Sequence, residues 1–403
     1  MASGHVAFVS FPGYGHIRPT LAIVDELLAR GHRVTYLVAD RFADDVADTG
    51  ADVVTYHSSF PEPVPSPPDL VRMTIEFIRE SFAPLRPALA RFDPDPPDLI
   101  VHDALVSDTA GILSRKYGVP TVRTFPGFGG NEQVPLNGAE TRPGEQALDP
   151  NDPLLVRFGS ELTDSLRALD MELLAGQQLA AGANPAHNLV FVPAAFQPMV
   201  DAFDDRFTFV GPCLRRSELN AEWTPPDAAK PLALVTLGTS ANQSPEFFRT
   251  CARAFESVPW QVVMTLGRSM DPAVLGALPA NVTAVNWVPH LAVLRHASVF
   301  VCQAGSGSLM ESLYRGTPVV VVPRSPDSFA LAERVVELGV GRMLDADRLT
   351  ADQLVHTVLA VAADPSIKAR VAELRRAVRA AGGASRAADE LESRLRRTVS
   401  VAG

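Results

Sequence analysis

Apolar residues in this chain fall into short continuous runs separated by stretches with a helical period. HVAFVSF (5–11) is one such run, GYGHIRP a turn, and TLAIVDELLARG (20–31) an amphipathic helix that Gly31 ends. Runs that are apolar throughout rather than alternating have both faces covered, as strands of a parallel sheet do. HRVTYLVA (32–39), PDLIVHDAL (97–105) and PTVRTFP (120–126) continue the pattern, the last two flanking a helix at 107–117. Before them, LVRMTIEFIRESFAPLRPALARF (70–92) reads as helical and proline-bounded, with more aromatic and aliphatic residues than one core face needs. Residues 129–153 are polar, rich in glycine and proline and without period, which predicts a long loop of the kind that is either a functional lid or disordered. A helical region at 154–182 and the runs LVFVPAAF (189–196) and FTFVGP (207–212) complete this half.

RRSELNAEWTPPDAAKP (215–231) is polar and proline-rich, the composition of an interdomain linker. A second alternation follows, with strands at 232–238, 260–267, 282–289, 298–305 and 317–323 and helices at 245–257, 307–315, 328–338 and 351–362. Two more helices, broken at Gly382 and Gly383, fill 366–398. The pattern predicts an α/β protein of two doubly wound, Rossmann-like domains facing across a cleft. The expected bounds are 1–212 for the first domain, 213–231 for the linker and 232–380 for the second, with 381–403 packing back toward the first. Ligands of such sheets sit at the carboxyl ends of the strands, so the cleft is the expected site.

Composition narrows this further. A chain of 403 residues exceeds what one hydrophobic core holds, and a net charge of -10 without a basic cluster argues against a nucleic-acid partner. Cys213, Cys251 and Cys302 are widely spaced with no CxxC, so they read as buried free thiols in a reducing compartment rather than a metal site. MASGHVAFVSFPGYGH has neither a basic start nor a cleavage site, and no apolar run reaches the roughly 18 to 20 residues that span a bilayer. A cytoplasmic protein without a membrane partner is expected; oligomeric state, a homodimer included, is left open.

VCQAGSGSLMES (301–312) is the stretch richest in chemistry. Small residues between an apolar run and a helix start present backbone N–H groups to an anion. No GxxxxGK[ST], HExxH or GxGxxG occurs, and the acids of DPDPP (93–97) and DADR (345–348) lie in turns.

WVPHLAVLRHASVFVCQAGSGSLMESLYRGTPVVVVPRSPDS (287–328) closely resembles the donor-binding signature of the family 1 UDP-glycosyltransferases, and SFPGYGHIRPTLAIVDELLARGHRVTY resembles the start of their acceptor domain. The resemblance runs through FVGP before the linker and LVTLGTS after it, and is strongest to the bacterial macrolide glycosyltransferases. It implies the GT-B arrangement of the two domains, with the acceptor bound by the first and a nucleotide sugar by the second. His16 would then be the catalytic base, as against a histidine merely capping its helix. Asp103, at the end of a strand, would orient it, with Asp108 as the competing candidate. Gly305, Ser306, Gly307 and Ser308 would hold the diphosphate, with Thr239 and Ser240 on its other side. Glu311 would accept the ribose hydroxyls, although an acid so placed also suits the helix dipole. Trp287 would stack on the base, filling core being its rival role.

Two positions depart from the family. Gln303 stands where most relatives carry a histidine, so it can donate a hydrogen bond but carries no charge. Ser328 follows a matching Asp327 where the family has a glutamine that grips the sugar, which points to a sugar other than plain glucose, such as a deoxysugar on TDP, or to a degraded donor site. The expected enzyme is an inverting, metal-independent O-glycosyltransferase. It would need no cofactor beyond a UDP or TDP sugar and would act on a hydrophobic natural product such as a macrolide or other polyketide. Phe60, Phe77, Phe82 and Phe128 would line its acceptor pocket. The alternative is a glycosyltransferase-like protein with an impaired donor site, serving as an auxiliary or binding subunit or catalysing another reaction in the acceptor cleft.

Overall fold

The computed structural model describes residues 3–61, 69–134, 148–181, 187–238, 244–268 and 270–401. Seven strands, β1 (His5–Val9), β2 (Arg33–Ala39), β3 (Asp52–Tyr56), β4 (Leu99–Asp103), β5 (Thr121–Phe125), β6 (Asn188–Val190) and β7 (Phe207–Phe209), form one sheet in the order β3-β2-β1-β4-β5-β6-β7. Six more, β8 (Leu232–Thr236), β9 (Gln261–Thr265), β10 (Val282–Val285), β11 (Ala297–Cys302), β12 (Val319–Val321) and β13 (Gly341–Met343), form a second in the order β10-β9-β8-β11-β12-β13. Every pairing is parallel. The central strands β1, β4, β8 and β9 are buried along their whole length, as their unbroken apolar runs require. β3 and β13 carried no signal of that kind, because they are edge strands with partly exposed side chains. β6 stops at Val190, short of the expected run, and Phe191, Val192 and Phe196 continue as buried loop around Pro193, which has no N–H for a ladder.

Strand order reverses twice, at β1/β4 and at β8/β11, and these are the two points where a doubly wound sheet opens a crevice at its carboxyl end. Register puts Val9 opposite His102, and Val235 opposite Val301. The turns leaving β1 and β4 therefore emerge side by side, as do those leaving β8 and β11. The first helix spans Tyr14–Ala29, so it begins inside the stretch expected as a turn and carries His16 in its first turn. Pro19 lies within it, tolerated because its fixed φ is helical and it forfeits one backbone bond near the N-terminus. The helix Gly383–Val401 returns to this element: Ala387, Ala388, Leu391 and Leu395 share a core with β1 and the first helix, and Arg30 donates to Asp389 at 2.6 Å. Among the described residues no helix is long and apolar enough to cross a membrane.

Candidate active site

The β1/β4 crevice holds a histidine and an aspartate in contact. His16 Nδ1 lies 2.7 Å from Asp103 Oδ2. Asp103 is buried, and its other oxygen accepts the Leu105 N–H at 2.9 Å, so the turn that follows β4 aims the carboxylate. An ionised carboxylate there selects the tautomer with the proton on Nδ1, leaving Nε2 as the basic nitrogen. Asp108 is held elsewhere: it accepts from Ser81 Oγ at 2.9 Å, and burial pushes its carboxyl up. Beside the imidazole stands an aromatic wall. The Phe11 ring is 5.0 Å from the His16 ring, 4.8 Å from Phe60 and 5.7 Å from Phe77. Phe77 remains 38% exposed, so this wall has an open face.

The β8/β11 crevice opens onto the start of a helix. Helix Ser306–Arg315 starts from Gly305 in extended conformation with no side-chain cap, so its first-turn N–H groups have no acceptor from a cap. A methyl group added at Gly305 or Gly307 would meet nothing within 4 Å. Ala304, just before, holds φ at 68°, a left-handed conformation that costs a non-glycine residue energy and recurs at functional turns. The Gln303 amide nitrogen lies 3.0 Å from where a Cβ on Gly238 would be, so it spans from the β11 turn to the β8 turn. Ser306 Oγ donates across the cleft to the Pro126 carbonyl at 2.7 Å.

Further along that helix, Glu311 is buried and carries the densest electrostatics of the site. Its Oε1 is 2.9 Å from Arg18 Nη1, whose Nε and Nη2 both donate to Glu218 Oε1, at 2.9 and 2.7 Å. Glu311 Oε2 has no hydrogen-bond partner and lies 3.6 Å from His290 Nδ1. Burial opposes ionisation of Glu311, but Arg18 and His290 outweigh it and hold the carboxyl below its ordinary range. Trp287, on the loop after β10, is 71% exposed, which excludes a core-filling role and leaves its face open to a ligand.

Residues 253–393 match the C-terminal domain of the erythromycin biosynthesis protein CIII-like family. The oleandomycin glycosyltransferase of Streptomyces antibioticus is 36% identical over 400 residues, covering 97% of this chain and 91% of that protein. The chain belongs to the macrolide glycosyltransferase group of the family 1 glycosyltransferases. The demethyllactenocin mycarosyltransferase of Streptomyces fradiae is a further relative, 33% identical over 97% of this chain and 86% of its own length. The crystal structure of a calicheamicin glycosyltransferase superposes with a TM-score of 0.85 at 36% identity, covering 98% of this chain and 99% of that one. The two sheets thus form the GT-B fold, and the chain is an enzyme that transfers sugar.

Other residues of this glycosyltransferase named from sequence have structural partners of their own. The Ser328 hydroxyl accepts the N–H groups of Arg324 and Ser325 and donates to the Ser325 carbonyl at the start of helix Pro326–Glu337. Phe128 is 3% exposed and its ring packs tilted against Phe196 in the core shared by both sheets, whereas Phe82 is half-buried against the same cluster that holds Phe11 and Phe60. Thr239 and Ser240 lie outside the described residues, as does the side chain of Asp327. Arg18, Phe11 and His290 were missed. Arg18 sits two residues after His16, but nothing in GYGHIRP tells of a carboxylate on the far side of the cleft.

Proposed function

We propose that this glycosyltransferase moves a sugar from a UDP or TDP sugar to a hydroxyl of a hydrophobic natural product, with inversion and without a metal. The observation that carries the reading is the His16–Asp103 pair at 2.7 Å, beside an open aromatic wall. His16 Nε2 takes the proton of the acceptor hydroxyl as its oxygen attacks the anomeric carbon. The bond from that carbon to the diphosphate oxygen breaks, and a single displacement inverts the centre. Asp103 stabilises the imidazolium as it forms, the division of labour seen in hydrolase triads. The leaving diphosphate gathers charge at the start of helix Ser306–Arg315, where Gly305, Gly307 and Ser308 offer N–H groups and the helix dipole takes the part of a cation. Gln303 adds a neutral donor, Glu311 and His290 face the ribose, and Trp287 stacks on the base. Phe11, Phe60 and Phe77 favour an apolar acceptor, consistent with the macrolide names of the relatives.

The test is incubation with UDP and TDP sugars, deoxysugars included, and a panel of macrolides and aromatic polyketides, read by mass spectrometry. A sugar adduct that disappears in His16→Ala is the expected result. Absence of any adduct together with absence of nucleotide binding would overturn the reading in favour of an impaired donor site.

A further inference from the structure

We propose that the C-terminal end of helix Ser306–Arg315 carries a second anion site, built from Arg295, Arg315, Arg375 and Arg379 and suited to a phosphate-class oxyanion. The helix ends at Gly316, which holds φ at 84°. Arg315 is its last residue, Arg295 comes from the turn before β11, and Arg375 and Arg379 lie one turn apart on helix Pro365–Ala380. These side chains converge. Arg295 Nη2 and Arg315 Nη2 both donate to the Leu219 carbonyl, at 3.3 and 3.2 Å. Arg379 Nε donates to the Tyr314 carbonyl at 3.1 Å. The guanidinium carbons of Arg379 and Arg315 stand 4.8 and 5.7 Å from the centre of the Tyr314 ring. A Cβ on Gly316 would lie 2.8 Å from Arg375 Cδ and 3.4 Å from its Nε, so Arg375 lies against the helix end itself.

A helix C-terminus attracts cations, but its dipole is worth only about half an elementary charge, so four guanidiniums leave most of their charge unmet. Their partners are carbonyl oxygens and an aromatic ring; among the described residues none of the four pairs with a carboxylate, although the chain carries a net charge of -10. Arg315 registers the excess: burial, then the charges of Arg295, Arg379 and Arg375, hold its guanidinium below the ordinary arginine range. Two donors of the cluster, Arg315 Nε and Arg375 Nε, are buried without a hydrogen-bond partner. Buried donors left in this way call for an acceptor, and a tetrahedral oxyanion brings several together with the missing negative charge. The planar N–H forks of arginine suit such a group better than a halide. This site lies about 15 Å from the turn proposed for the donor diphosphate, at the opposite end of the same ten-residue helix.

Calorimetric titration of inorganic phosphate into the UDP-saturated enzyme, at constant ionic strength in chloride, tests the site with the donor turn occupied. The wild type should show saturable binding with a dissociation constant of about 1 mM or below. Arg315→Gln combined with Arg375→Gln should weaken it by about tenfold or more, and the exposed single change Arg379→Gln by about threefold or more. Absence of saturable binding up to about 20 mM phosphate in the wild type overturns the proposal with no substitution needed. So does unchanged phosphate affinity in both variants, which would place the ion elsewhere, the donor turn included. Melting temperatures in phosphate-free chloride separate an anion site from simple support of the helix end. Relief of like-charge repulsion should leave Arg375→Gln melting at or above the wild type there, and phosphate should then raise the wild type alone. A fall of more than about 3 °C for Arg375→Gln in chloride would make the arginine a structural cap and overturn the proposal.

Discussion

Asp103→Asn is the sharpest perturbation of the proposed chemistry. The substitution keeps the shape of a buried side chain, and its oxygen can go on accepting the Leu105 N–H. Its amide nitrogen then faces His16 Nδ1 where the carboxylate oxygen stood at 2.7 Å. Two donors cannot share that contact, so the imidazole must put its proton on Nε2, the atom that should be taking one. Loss of the charge-assisted hydrogen bond alone removes about 1.5 to 3 kcal/mol of stabilisation from the forming imidazolium. At 1.36 kcal/mol per decade that is roughly a 10- to 150-fold fall in kcat, a lower bound because the tautomer penalty adds to it. Steady-state kinetics should place the loss in kcat, with both KM values within about threefold. Asp108→Asn, made in parallel, should change kcat by less than about threefold, since Asp108 is tied to Ser81. A wild-type kcat in Asp103→Asn, or a loss confined to KM, would refute the assignment of Asp103 as the group that orients the base.

Two further outcomes follow from burial. Trp287→Ala should weaken UDP binding by roughly 5- to 150-fold, the value of about 1 to 3 kcal/mol for stacking on a base. The melting temperature should be unchanged, because the side chain is 71% exposed; a lower melting temperature with unchanged affinity would return Trp287 to a packing role. His102, inside β4, is lowered from 6.5 to about 4, chiefly by burial. The unfolded chain therefore takes up its proton first as pH falls through 6.5, and the folded chain only near 4, so stability is lost across that window. The loss amounts to about 3 kcal/mol at 1.36 kcal/mol per unit. Urea denaturation at pH 7 and near pH 4 should show a shallower decline for His102→Gln than for the wild type, and equal declines would count against the argument.

Much of this protein is legible from local pattern. Each central strand of a parallel sheet must be apolar on both faces, so β1, β4, β8 and β11 announce themselves, and with them the turns that follow. That is how His16, Asp103 and the 303–308 turn could be named from sequence, and why Gly31 could be read as the end of the first helix. Edge strands such as β3 and β13 escape because one side of their chain is under no such demand. What the local pattern cannot carry is the choice among partners that are distant along the chain. The preference for Asp103 over Asp108 became a contact only through the β1/β4 pairing and the helix that starts at Tyr14. The burial of Phe128 shows only once the two sheets share a core around it, and the hydrogen bonds of Ser328 only once helix Pro326–Glu337 starts beside it. The Arg18 contact with Glu311 joins the first domain to the second, and its length is set by how the sheets face each other. Periodicity is a property of neighbours a few residues apart and survives in the sequence, whereas a contact across a cleft depends on strand order, register and the meeting of two domains, and exists only once the chain has folded.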